Sequence, residues 1–306
     1  MFLIRVLNCE KYIFQMVLFL FFPLSFSASI SQCNFVSLSL RPIDYISSSE
    51  NLHLSHCSFN NITSPSGNGG ALRFTSQTYN FTIIFTCYSF CCSATGFGMT
   101  SASDTKGFHQ ANSCSIQYSS YQNNMGYHAG IYFIRGYQIV KDINTSNNYI
   151  SAYAGIGFES SSSLQYSYST ISKNIAKDWA ALCYRYSGIY KSDYINCVNN
   201  SQLSSSWAIV SVAEGNSVMS KCVFLFNGII GSKKLFRSTG SLTIQDSSIQ
   251  TDCSNEGATI SNCNTLNVQV PLDHFKSRVC GYDEYYTHDT KNRYNRLMFL
   301  LGLVIF

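Results

Sequence analysis

Between residues 50 and 250 one phrase keeps returning, a small residue followed by an apolar one. It reads Gly70-Ala71-Leu72, Gly98-Met99, Ala129-Gly130-Ile131, Ala154-Gly155-Ile156, Ala180-Ala181-Leu182 and Ala208-Ile209, with a weaker copy ending at Leu235. The apolar members are spaced 27, 32, 25, 26, 27 and 26 residues apart. A period in this range restricts the fold to a repeat architecture, where each unit can bury its apolar side only against its neighbours. A second series runs in phase with the first. Strand-like segments bearing Cys57, Cys87, Cys114, Asp142, Tyr168, Asp193 and Cys222 lie 12 to 17 residues ahead of the next anchor. Two phrases that stay in phase over the whole region define one repeating unit.

The unit is made of strands. Side chains alternate with period two in Ile131-x-Phe133, Ile156-x-Phe158, Leu182-x-Tyr184 and Asn267-Val268-Gln269-Val270. Polar turns such as Asn123-Asn124, Asn147-Asn148 and Asn199-Asn200 break the segments. Helix caps and 3.6-residue stripes are missing, which excludes leucine-rich and helical repeats. The expected fold is all-β: a right-handed parallel β-helix of about eight coils, with adjacent coils pairing at roughly 4.8 Å. Corresponding residues then form columns along the axis, and Leu72, Met99, Ile131, Ile156, Leu182 and Ile209 should form one of them. A small residue before each anchor lets the chain bend tightly. Asn at the bends tolerates left-handed backbone, and its amide can bond to the same group in the next coil.

Terminal coils expose strand edges, so both ends need covers. The expected organisation is a signal peptide over 1–27, an N-terminal cap or first coil over 28–50, and the β-helix over 51–250. A Cys-containing C-terminal cap over 251–290 and a basic, apolar tail over 291–306 follow.

Compartment is legible in the leader, where residues 13–26 are strongly apolar after Arg5 and Lys11. Ser25 and Ser27, or Ser27 and Ser29, suit the positions flanking a signal-peptidase cut. Either Met1 or Met16 can serve as the start, and an uncleaved anchor is the alternative to a cleaved signal. Sequons at Asn61, Asn80, Asn144 and Asn199 become glycan sites if the chain is secreted. The apolar stretch 297–306 is too short for a membrane helix, which needs roughly 20 residues. With Lys291, Arg293 and Arg296 ahead of it, membrane attachment through this tail and a capping role both stay open. The expected location is extracellular or the cell surface. Only 12% of residues are charged, and the net charge of +4 has no interior basic block, which argues against nucleic-acid binding.

Particular residues resemble a known family. Gly69-Gly70-Ala71-Leu72 matches the GGA-plus-aliphatic motif of chlamydial polymorphic membrane proteins, and Phe224-Leu225-Phe226-Asn227 matches their Phe-x-x-Asn motif. Tyr121 to Asn124 and Ile171 to Asn174 look like variants of the second. The chain also resembles β-helix surface proteins of parasitic protists such as trichomonads. The similarity covers roughly residues 50 to 250. It implies a pectin-lyase-like solenoid displayed at a surface and linked to adhesion. It does not imply autotransport, because the chain has no room for the outer-membrane barrel of the chlamydial proteins.

Many parallel β-helices cleave acidic polysaccharides, so a lyase or hydrolase is the principal alternative. The Asn-Thr-Asp, Asp-Asp, Gly-His-Gly and Arg-Ile-Lys motifs of polygalacturonase-like sites are absent. Paired carboxylates for acid and base roles are missing too, and no two acids are adjacent before Asp283-Glu284. Asp142 and Asp193 are expected at one repeat position, roughly 10 Å apart with Tyr168 between them, too far to share a metal directly. In His53-x-x-His56 the imidazoles should point to opposite faces of a strand. No metal, cofactor or catalytic residue is expected. Cys57, Cys87, Cys114 and Cys222 are expected to stack as a ladder of buried thiols, with bridging as the alternative because the ladder spacing overlaps the disulfide window, and Cys253, Cys263 and Cys280 are the better disulfide candidates. Tyr118, Tyr121, Tyr184, Tyr186, Tyr190 and Tyr194 are candidates for an exposed binding face, with strand filler as the alternative. The expected function is a non-catalytic interaction protein of adhesin type, contacting a host or neighbouring cell, a matrix protein or a glycan. A carbohydrate-binding module is a further alternative.

Overall fold

Short aromatic and β-branched segments separated by bends give, among the described residues, 26 strands and no helix. The computed structural model describes residues 26–47, 50–65, 67–93, 101–117, 130–150, 155–186, 188–204, 206–229, 234–266 and 270–272. Strands of successive turns pair in parallel and stack as a β-solenoid of about seven turns, close to the eight expected.

Three long sides and one short one repeat around each turn. Side A runs through Phe26–Ser31, Glu50–Ser55, the first halves of Phe81–Ser89, Phe108–Gln117, Tyr137–Ser146, Ser163–Ser172 and Ile189–Val198, and then Asn216–Ser220. Side B takes Asn34–Leu38, Ser58–Ser64, the second halves of the same long strands, Val223–Leu225 and Ser248–Ile249. The short side C holds two-residue strands such as Tyr149–Ile150, Ile175–Ala176 and Ser201–Gln202. Side D runs from Ile43–Ser47 through Leu72–Ser76, Ser101–Asp104, Ile131–Ile134, Ile156–Glu159 and Leu182–Arg185 to Val210–Ala213.

The corners are made by residues in left-handed backbone. Gln32, His56, Phe85, Ser113, Asp142, Tyr168, Tyr194, Lys221 and Asp246 turn the chain from A to B, all with φ between 48° and 56°. Asn147, Lys173, Asn199 and Phe226 turn it towards C. Only two of these thirteen are Asn, although that conformation costs most residues roughly 1–2 kcal/mol. Parallel pairing on both flanks of each corner holds the conformation in place.

Inward side chains stack into columns. Phe35, Phe59 and Tyr88 stack with ring centroids 4.9 Å apart at each step. Phe133, Phe158 and Tyr184 do so at 5.8 and 5.6 Å. Tyr184 and Tyr190 therefore belong to the core and are fully buried, not members of an exposed face.

The anchor column is Ile43, Leu72, Ser101, Ile131, Ile156, Leu182, Val210 and Phe236. Leu72, Ile131, Ile156 and Leu182 stand where the repeat placed them. Met99 lies outside the described residues. Ile209 is displaced by one: it occupies the position of Ala181, whose N–H bonds to its carbonyl, and Val210 takes the anchor place. The small residue is needed further up the solenoid. A Cβ on Gly155 would lie 2.5 Å from the carbonyl oxygen of Ala181 and 2.9 Å from Ile171 Cγ2. At Ile209 and Leu235 that requirement has lapsed, so the small-then-apolar phrase slips by one residue.

A second column is entirely polar. Asn148, Asn174, Asn200 and Asn227 are buried one above another at the corner between B and C. Each of the first three points its backbone N–H at the Oδ1 of the next, at 3.0 Å. Each Nδ2 bonds to the next Oδ1 as well, at 2.9 to 3.2 Å. The side chains also donate to carbonyls of the preceding turn, Asn174 Nδ2 to Thr145 at 3.0 Å. This column explains the aromatic/aliphatic-x-x-Asn phrase: Ile171 and Phe224 point inward, and Asn174 and Asn227 satisfy the corner backbone.

Regular stacking reaches beyond 51–250 at both ends. Phe26–Ser31, Asn34–Leu38 and Ile43–Ser47 form a first coil that begins two residues before position 28, and Ser254–Ser261 still pairs with Lys234–Gln245.

Candidate functional site

The cysteine ladder differs from the expected one by a single step. Cys114 pairs with Thr86, whereas Cys87 pairs with Ser58 and Ser115. Cys87 therefore points outward on side B while Cys57, Cys114 and Cys222 pack into the core. Burial pushes the Cys114 and Cys222 thiols up to about 12, so they are not nucleophiles at neutral pH. Cys253 and Cys263 are in the thiol form. Cys280 lies outside the described residues. Cys87, expected in the ladder, is disulfide-bonded.

The acids do not converge. Asp142 aligns with Tyr168 and Tyr194 at the A–B corner, and Asp193, paired with Ser167 and Ser220, stands one residue earlier. They do not share a repeat position, because the second series slips at Asp193. Asp142 accepts a hydrogen bond from Ser113 Oγ at 2.8 Å. Asp193 is held above its ordinary carboxylate value chiefly by burial, against the pull of Lys221.

Acids on side D are held by bases. Asp44 pairs with Arg41 and Arg73, Asp104 with Arg135, Glu159 with Arg185, and Glu256 with Lys234 and Arg237. Over the same side Trp179 and Trp207 stack at 4.0 Å between Arg185 and Arg237. The result is an interlocked layer of charge and aromatic rings.

His53 and His56 do not form a pair. His53 stands half-buried on a side A strand, and His56 sits at the corner with its ring 4.8 Å from that of Phe85. Among the described residues no group of three metal-ligating side chains occurs.

The outer face of side A is an open surface. One outward row is Ser29, His53, Thr82, Gln110, Ile139, Gln165, Lys191 and Val218. Beside it run Asn51, Asn80, Phe108, Tyr137, Ser163, Ile189 and Asn216. None of these residues is buried, and Ile189 is 56% exposed. Contacts link its members across turns: Phe108 and Tyr137 lie 5.5 Å apart, and Gln165 Nε2 donates to Tyr137 Oη at 2.9 Å. Tyr168 and Tyr194 line its edge, stacked at 4.9 Å, with Lys141 over the first and Lys221 over the second. Of the expected tyrosines, Tyr194 lies on this edge, Tyr186 is exposed at the other end of side D, and Tyr118 and Tyr121 lie outside the described residues. Lys191 belongs to no motif in the sequence, and Tyr168 only to the second repeat series; the register reveals that they belong to one surface.

Asn61, Asn80 and Asn199 are exposed at bends, whereas Asn144 is half-buried in a strand of side B. The stacked parallel turns define a class by fold alone, a β-solenoid. No family model, curated protein or solved structure matches the chain.

Proposed function

We propose that the chain is a non-catalytic interaction protein of the cell surface or extracellular space, which uses the outer face of side A to contact a host or neighbouring cell, a matrix protein or a glycan. The observation that carries this reading is the continuity of that face. Its outward rows present hydroxyl, amide and apolar groups over successive turns with little charge. A rigid surface with a repeat of roughly 4.8 Å offers many weak contacts in fixed register, so affinity accumulates without deep pockets. The pairing of Asp44, Asp104, Glu159 and Glu256 with bases supports a structural role for those acids.

Purified full-length protein should bind cells or matrix saturably. The triple variant Gln165→Glu, Lys191→Glu, Val218→Asp should weaken binding at least tenfold with no change in the unfolding midpoint. Unchanged binding by the variant contradicts the assignment of the face. Turnover of a uronate polymer by the wild type contradicts the non-catalytic reading.

A further inference from the structure

We propose that Asn61, Asn80 and Asn199 carry N-linked glycans, and that the first sugar of each stacks on an aromatic ring one turn further along: Phe90, Phe108 and Phe226. The register puts each pair at one ladder position. Asn60 pairs with Ser89 and Thr63 with Cys92, so Asn61 and Phe90 correspond. Val198 pairs with Leu225 and Ser201 with Gly228, so Asn199 and Phe226 correspond. Phe81 pairs with His109, and the Phe108 N–H donates to Asn80 Oδ1 at 2.9 Å. Successive turns lie roughly 4.8 Å apart, a distance that suits one ring stacked on another.

Core packing does not explain these rings. Among the described residues the exposed phenylalanines are Phe90 and Phe226, each 55% exposed. Both stand at corners in left-handed backbone, with φ of 51° and 57°. That conformation suits glycine or asparagine and is unfavourable to a bulky residue. Both also sit one turn beyond a sequon asparagine. Phe108 is partly exposed and stacks on Tyr137, whose hydroxyl accepts from Gln165, so two rings continue in line from Asn80.

The asparagines are presented for modification. All three are exposed and each opens an Asn-X-Ser/Thr sequon. Asn80 is held through Oδ1, which leaves Nδ2 for the sugar. Asn61 Nδ2 donates to Ser37 Oγ at 3.1 Å and keeps a second hydrogen for substitution. The fourth sequon shows the contrast: Asn144 is half-buried, and its counterpart one turn on is Thr170, which has no ring.

Glycosylation joins Nδ2 to the anomeric carbon of a lipid-pyrophosphate-linked oligosaccharide in the secretory compartment. The bond from that carbon to the pyrophosphate oxygen breaks, the lipid pyrophosphate leaves, and the amide loses one proton. The apolar C–H face of the sugar then packs on the electron-rich face of the ring and removes both from water. Glycans held in this way lie along the solenoid. Those at Asn61 and Asn199 cover the corner between B and C. The one at Asn80 covers the edge of side A as far as Tyr137 and leaves Gln165, Lys191 and Val218 open. The proposal rests on the reading of the chain as an extracellular protein.

The test is NMR spectroscopy of the full chain secreted from a glycosylating host fed isotope-labelled glucosamine. At each of the three sites the ring protons of the first sugar should lie upfield of their position in the glycopeptide released by protease, because the aromatic ring current shields them. Phe90→Ser should return the sugar at Asn61 to the glycopeptide value, and Phe226→Ser the sugar at Asn199, each with the other sites still shifted and an unchanged circular dichroism spectrum. Sugar signals that match the glycopeptide in the wild type, or that keep their shift in these variants, overturn the proposal. A chain found on the cell surface without sugar at these asparagines also overturns it and leaves the extracellular reading intact. A chain retained inside its native cell removes both.

Discussion

Replacing Asn174 by Ala should destabilise the solenoid severely, although the residue is small and far from any terminus. Its side chain accepts from Asn148 N at 3.0 Å and Asn148 Nδ2 at 2.9 Å, and donates to Thr145 O at 3.0 Å and Asn200 Oδ1 at 3.2 Å. All four bonds are buried, so water cannot replace them. At about 1 kcal/mol net for each, the loss is about 4 kcal/mol, and more if the Asn148 amide is left unpaired. Natural domains have roughly 5–15 kcal/mol in total, so the variant should sit near the edge of folding. Asn147→Ala is the control. That residue is exposed and left-handed at φ 55°, so its cost is only about 1 kcal/mol of backbone strain. Urea titration should separate the two variants, and hydrogen exchange should show loss of protection at the Asn148 amide in Asn174→Ala alone. If both variants cost the same within about 0.5 kcal/mol, the asparagines are not a buried, bonded column.

Further outcomes follow from the same columns. His109 is fully buried, its Nδ1 2.8 Å from Ser103 Oγ and its Nε2 3.0 Å from the Thr105 carbonyl, and burial lowers its pKa to about 4. The unfolded chain takes up the proton near pH 6.5, so this contribution is complete above that pH and is lost as pH falls towards 4. The loss is about 3 kcal/mol by pH 4, read as a falling urea midpoint that His109→Gln should flatten. Gly155→Val should cost at least about 3 kcal/mol, because the new Cβ meets the Ala181 carbonyl and Ile171; a thermal melt within a degree of wild type would contradict the packing. If the chain is secreted from a glycosylating host, glycopeptide mapping should find sugar at Asn61, Asn80 and Asn199 and none at the half-buried Asn144.

Much of the fold was legible because a repeat leaves its period in the sequence. The period, the strand alternation and the anchors Leu72, Ile131, Ile156 and Leu182 survive in the structure because each stacks on its counterpart, whereas Ser101 holds the anchor place in the turn of Met99. Errors fell where a turn gains or loses a residue. Spacings of 25 and 32 average to a period but do not fix register. Cys87, assigned to the inward ladder, therefore lies one step outward, and Asp193 is likewise one step from the Asp142 position. A slip by one residue turns a side chain to the other face. Tyr184 and Tyr190 were misplaced for a related reason: tyrosine suits both faces of a sheet, and composition cannot say which. Of the side A face only the edge residue Tyr194 was legible, since the members of its rows share no residue type and meet only through stacking.

Distances along one outward row test the stacked-turn fold most directly. Ser29, Gln165 and Val218 are exposed members of the row on side A, five and seven turns apart by pairing register. Nitroxides attached bio-orthogonally at Ser29 and Gln165, and at Ser29 and Val218, should give electron-spin distances near about 24 and 34 Å, growing by roughly 4.8 Å per turn. Equal distances for the two pairs, or a longer one for the first, would mean that the turns do not lie atop one another.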